Sequence, residues 1–127
     1  MNPIAAEFLH KAEADRATAR RELAAVSNPN HDAVCFHAQQ CIEKLLKAIL
    51  LEHATTPPRS HDLTLLASMV RDRGVQHHAS DDDLILLQPG AVDYRYPGQS
   101  ADAADARDAM AAAERAWSAL RPALPES

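Results

Sequence analysis

The sequence predicts an all-α fold, a compact antiparallel bundle, and three observations predict it. Alanine, the best helix former, dominates an apolar fraction of 46%, whereas aromatic residues make up 4% and glycine occurs only 3 times. Apolar residues recur at steps of three and four, where a strand would alternate. The breaks between those stretches carry proline, glycine and capping side chains. With 127 residues the chain is most simply one domain spanning residues 1–127, large enough to bury a core without a metal or disulfide.

Five helices follow in order. The first spans Pro3 to Val26: proline suits the first helical position, and Ile4, Phe8, Ala12, Ala19, Leu23 and Val26 recur at helical spacing. Ser27-Asn28-Pro29-Asn30 ends it and offers caps for the second, Asn30 to Ala54. Thr55 to Arg59, with Pro57-Pro58, reads as a stiff linker. Ser60 is the expected cap of a third helix whose Leu63, Leu66, Ala67 and Val70 form one stripe, ended by Gly74. Ser80 followed by Asp81-Asp82-Asp83 starts the fourth, because carboxylates there meet the positive end of the helix dipole. That helix is expected to reach the Asp93–Tyr96 region, bent near Pro89-Gly90 and stopped by Pro97-Gly98. Ser100 is the expected cap of the fifth, where Ala103, Ala106, Met110, Ala113, Trp117, Leu120 and Leu124 make a packing seam.

Charge and cysteine usage narrow the function. The net charge of −5 lies wholly in residues 61–127, and no lysine follows Lys47. This is not the charge plan of a protein that binds nucleic acid over its whole surface, so any phosphate site must be local, drawn from Lys44, Lys47, Arg59 and Arg95. Cys35 and Cys41 are six apart on one helix, a rise of about 9 Å that no disulfide bridges; they read as small apolar groups. No apolar run approaches the roughly 20 residues of a membrane span, and the start does not resemble a secretory signal. A cytoplasmic protein is the expectation.

Three polar clusters stand out. On the second helix Val34, Ala38, Cys41, Ile42, Leu45 and Ile49 share one side, and Gln40, Glu43, Lys44 and Lys47 the other. That polar side is either a solvated face stitched by a Glu43–Lys47 pair or a groove in which Lys44 and Lys47 meet phosphate oxygens. His61-Asp62 opens the third helix. There Asp62 complements the dipole while His61 bonds a neighbouring side chain, or the pair forms an anion or base contact. Tyr94-Arg95-Tyr96-Pro97 either binds a phosphate or a base through Arg95 and Tyr96, or caps a helix C-terminus with its rings in the core. There is no HxxxH or CxxC spacing for zinc, no Gly-rich phosphate loop and no GxSxG elbow, so neither metal nor cofactor is expected.

Taken in order, Gln40-x-x-Glu43-Lys44-x-x-Lys47-Ala48, then Pro58-x-x-His61-Asp62-Leu63, then Arg95-Tyr96-Pro97 resemble the HEPN family, and the likeness spans nearly the whole chain. The resemblance implies an all-α, antiparallel up-and-down bundle of four to five helices, usually a homodimer with a polar cleft near the two-fold axis. It implies a nucleotide- or RNA-binding module, often paired with a minimal nucleotidyltransferase in a two-gene, toxin–antitoxin-like system. Lys44, Lys47, His61, Arg95 and Tyr96 would then line the cleft, with Gln40, Glu43 and Asp62 as a structural polar cluster. Many members are metal-independent ribonucleases marked by an arginine followed four to six residues later by a histidine near the start of a late helix. Here the sequence departs: no histidine follows Arg95 anywhere. Arg71 and Arg73 reach His77-His78 only across Gly74, in a loop. Binding is therefore expected ahead of catalysis, the alternative being a ribonuclease toxin acting through Arg95 and His61.

Overall fold

The computed structural model describes residues 1–126, and the predicted helical bundle is what it shows. The helices are α1 (Pro3–Leu23), α2 (His31–Glu52), α3 (Leu63–Asp72), α4 (Asp81–Leu87) and α5 (Ala103–Leu120). Short 3₁₀ turns follow α4 at Gln88–Ala91 and Asp93–Arg95, and another follows α5 at Arg121–Ala123. There is no strand among the described residues.

α2 is the central element, the one most completely buried, with Val34, Cys35, Ala38, Cys41, Ile42, Leu45, Leu46, Ile49 and Leu50 in the core. α1 runs antiparallel to it, as bonds from Asn2 to Glu52 and from Lys44 to Asp15 show. α5 begins beside the start of α2, where the Ala101 backbone N–H donates to Asp32 at 2.7 Å. α4 runs antiparallel to α5, clipped by three bonds from the Arg115 guanidinium to Asp83. No helix among the described residues is long and apolar enough to cross a membrane.

Several expected boundaries shift, each for a local reason. α1 stops at Leu23, and Val26 beyond it is fully exposed; Ile4 also faces solvent, so the buried stripe is Ala5, Leu9, Ala12, Asp15 and Ala19. α2 ends at Glu52 because Ala54 adopts a positive φ of 55°, which takes the chain out of the helix. Two acids displace the expected serine caps. Asp62 accepts from the Leu65 N–H and leaves Ser60 to accept from Asp62 itself. Asp102 and Asp105 form a reciprocal capping box in place of Ser100. A carboxylate both accepts the free N–H groups and meets the helix dipole, an advantage a hydroxyl lacks. α4 ends at Leu87, short of the expected Tyr96, and the segment beyond tightens into 3₁₀ turns around Pro89.

The loop after α3 closes through His77. Its Nδ1 accepts the Ala79 N–H at 3.2 Å, which leaves Nε2 protonated toward the Ala67 carbonyl at 3.5 Å. Burial holds the pKa of His77 below its ordinary value, with the nearby Arg71 charge acting in the same sense. The folded chain therefore takes up this proton later than the unfolded chain as pH falls. Stability should be fully present above the ordinary histidine pKa of about 6.5 and decline as pH drops from there through the folded value. Thermal melts across that window should show a shallower slope in His77→Gln than in the wild type; parallel slopes would remove His77 from this role.

Candidate functional site

The polar side of α2 divides into two clusters, and neither is the solvated face that an isolated helix would present. In the first, the Glu43 carboxylate is buried. Its Oε1 accepts from His61 Nδ1 at 2.8 Å, Gln39 Nε2 at 3.2 Å and Gln40 Nε2 at 3.3 Å. Its Oε2 takes Lys47 Nζ at 3.1 Å. Four donors on one buried carboxylate satisfy the acceptor capacity that burial would otherwise leave open. The extended segment ahead of α3 is fixed from two sides: Gln39 and Gln88 both donate to the His61 carbonyl, at 3.1 and 2.9 Å, and Gln88 accepts from the Leu63 N–H.

In the second cluster Asp15 of α1, also buried, accepts from Lys44 Nζ at 2.6 Å and faces His37 Nδ1 at 2.7 Å. Lys44 and Lys47 are thus both neutralised inside the bundle. Their side chains are 25% and 12% exposed, so neither is free to serve as a point charge for a phosphate.

His61 and Arg95 remain facing outward. A carboxylate only accepts, so Nδ1 of His61 donates to Glu43, and in the neutral ring Nε2 is the acceptor left facing out. The side chain is 61% exposed despite its buried partner. Arg95 is exposed, sits over the Phe36 ring with its Cζ 4.9 Å from the centroid, and joins no ion pair among the described residues. Its guanidinium donates to no helix carbonyl there, so the capping alternative gives way to a stacked, available cation. Tyr96 is exposed beside it, while Tyr94 is half-buried against the core.

Position on α2 relates these groups. Phe36, beneath Arg95, and Glu43, beneath His61, are seven residues apart on one helix, about 10 Å in rise at roughly 1.5 Å per residue. Gln40 lies between them. The Arg95 segment is seated by Gly90, where an added Cβ would stand 2.2 Å from the Cys35 carbonyl oxygen. Only glycine allows this close approach of the turn to α2.

The cysteines take no part in this surface. Both are buried and free; burial pushes the Cys35 thiol up to about 11 and raises the Cys41 thiol as well, so neither forms a reactive thiolate near neutral pH.

The structure joins Lys47 and His61, expected in a ligand cleft, to Gln40 and Glu43, expected as a separate structural cluster; it places Arg95 further along the same face with Tyr96 beside it, and sends Lys44 to the Asp15 cluster. Asp62 serves as the α3 cap. Asp15, Phe36, His37, Gln39, Gln88 and Gly90 were not foreseen. Their partners lie far along the chain, and only the glycine ahead of the Arg95 segment left a trace in the sequence.

A protein-family model described as the HEPN domain matches residues 5–122 of the chain. No curated protein and no solved structure gives a significant match.

Proposed function

This chain belongs to the HEPN domain family, at family level a group of nucleotide- and RNA-related helical modules, and from that premise we propose that it binds a nucleotide or an RNA segment through the Arg95–Tyr96 end of the α2 face. The observation that carries this is the state of the cations there. Lys44 and Lys47 are consumed by Asp15 and Glu43, whereas Arg95 rests on Phe36 with one guanidinium face and its outer N–H groups open. A stacked guanidinium takes a phosphate by its edge and a base on its other face, and Tyr96 offers a second ring.

Arg95→Ala should weaken binding of a short single-stranded RNA with a 5′-hydroxyl end about 10- to 100-fold, the equivalent of roughly 1.5–3 kcal/mol for a lost charge-assisted contact. The melting temperature should stay within about 2 °C of the wild type, because an exposed arginine outside any ion pair contributes little to stability. Isothermal titration beside a thermal melt checks both. Unchanged affinity in a well-folded variant would remove Arg95 from the ligand site.

A second reading rests on the Glu43–His61 pair, in which a buried carboxylate orients an exposed imidazole as in a general base. It supports a metal-independent ribonuclease acting through His61 and Arg95, in the manner of a toxin. The two-turn separation along α2 ranks it second, since His61 and Arg95 would meet different parts of an extended ligand and not one reacting centre. Family members are commonly dimeric. We infer that this chain too works as a homodimer, beside a nucleotidyltransferase partner in a two-gene system. Light scattering of the purified protein and co-purification with the neighbouring gene product test these two inferences.

A further inference from the structure

α1 and α5 border an open groove of about 430 Å³ whose lining includes Glu13, Arg16, Arg20, Trp117 and Arg121. None of these residues belongs to α2 or to the Arg95 segment, so the groove is separate from the proposed ligand face. Arg16 lies over Trp117, its Cζ 4.7 Å from the ring centroid, and its Nη2 donates to Glu114 Oε2 at 2.6 Å. Arg20 Nε reaches the other oxygen of Glu114 at 2.8 Å. Arg121 Nη1 donates to the Leu124 carbonyl at 3.0 Å.

Donors exceed acceptors here. Each guanidinium carries five N–H groups, yet among the described residues Arg20 commits only its Nε and Arg121 one nitrogen to protein partners. Among the described residues around the groove, three arginines face two carboxylates, Glu13 and Glu114, a local positive excess in a chain of net charge −5. Joining α1 to α5 needs only the Arg16–Glu114 fork, which leaves Arg20 and Arg121 in surplus. Burial raises the Glu114 carboxyl, but its hydrogen bonds to Arg16 and Arg20 outweigh that and hold it below its ordinary range, so it keeps both arginines in place.

We propose that this groove binds a terminal phosphate group, whether free or at the 5′ end of a nucleic-acid strand. A terminal phosphate is close to a dianion with three acceptor oxygens, which matches converging guanidinium forks better than an internal diester with two oxygens and one charge. Trp117 is covered by Arg16 and is 8% exposed, so the groove has no open ring for a base. Recognition rests on phosphate alone.

Trp117 is the only tryptophan in the chain, and its emission therefore reports this groove and not the Arg95 face. The expected result is a saturable change of emission on titrating tripolyphosphate into the full-length protein. The apparent Kd should rise at least about tenfold in Arg20→Gln/Arg121→Gln, substitutions that keep the aliphatic stems, and should be unchanged in Arg95→Ala. A 5′-phosphorylated oligoribonucleotide should compete and its 5′-hydroxyl counterpart should not; competition by free phosphate species alone would restrict the site to small molecules. Absence of any saturable change, its persistence in the double variant, or its loss in Arg95→Ala would each overturn the proposal. Because the Arg95 site is titrated by calorimetry with a 5′-hydroxyl RNA, which this groove does not take, failure of one site leaves the other testable.

Discussion

Gly90→Ala is expected to lower the melting temperature by about 10 °C or more and to abolish ligand binding at the same time. The added methyl would stand 2.2 Å from the backbone oxygen of Cys35 and 2.7 Å from its carbonyl carbon. Neither is the flexible end of a side chain, so relief requires the turn to move off α2. Overpacking against rigid backbone costs at the upper end of the usual range, about 3 kcal/mol, and for a chain of this size each kcal/mol shifts the midpoint by roughly 4 °C. The displaced turn, Gln88–Ala91, leads straight into the Asp93–Arg95 turn, so it carries Arg95 off its seat on Phe36. Binding should therefore fail even at temperatures where Gly90→Ala is still folded, unlike Arg95→Ala, which loses binding alone. A Gly90→Ala protein that melts and binds as the wild type does would mean that the turn does not pack on α2 as described.

Glu43→Leu should be the most destabilising single change on the polar face. It removes the common acceptor of four donors and leaves Lys47, 12% exposed, with no counter-charge. Removing one partner of a buried pair costs about 3–5 kcal/mol. Lys47 can recover part of this by extending its head to water, so about 2–4 kcal/mol is expected, a fall of roughly 8–16 °C. Replacing both partners, as Glu43→Leu/Lys47→Met, should restore much of the loss, because the uncompensated charge disappears. Thermal melts of the two single variants and the double variant measure the coupling directly. Additive losses would show that the pair is not a linked unit.

Features of this fold that act over short range are legible in the sequence, and those that act over long range are not. Ser80 with three aspartates behind it, Asn30 ahead of α2 and Gly74 after α3 act within one turn, and those helix ends fell where expected. The serine caps at Ser60 and Ser100 lost to aspartates two residues on because each residue can cap a helix that starts just after it, and spacing alone does not rank the two starts. On the candidate site, the Glu43–Lys47 pair was legible as an i,i+4 contact. The burial of that pair was not, since it depends on His61 and Gln88 closing over it from elsewhere in the chain. Lys44 was assigned to ligand binding for the same reason: its true partner, Asp15, sits 29 residues earlier on another helix, inside a stripe that otherwise reads as apolar. The family resemblance supplied the face; only the packing showed which of its cations remain available.

The Arg95 face should hold a nucleotide or RNA without cutting it. The most direct test is calorimetric titration of the wild-type protein with a short single-stranded RNA in EDTA, followed by recovery of that RNA on a denaturing gel. Saturable heat with the strand recovered intact is the predicted result. Cleavage that persists in EDTA and disappears in His61→Ala would contradict it and make the Glu43–His61 pair catalytic, and a flat titration would contradict the binding role itself.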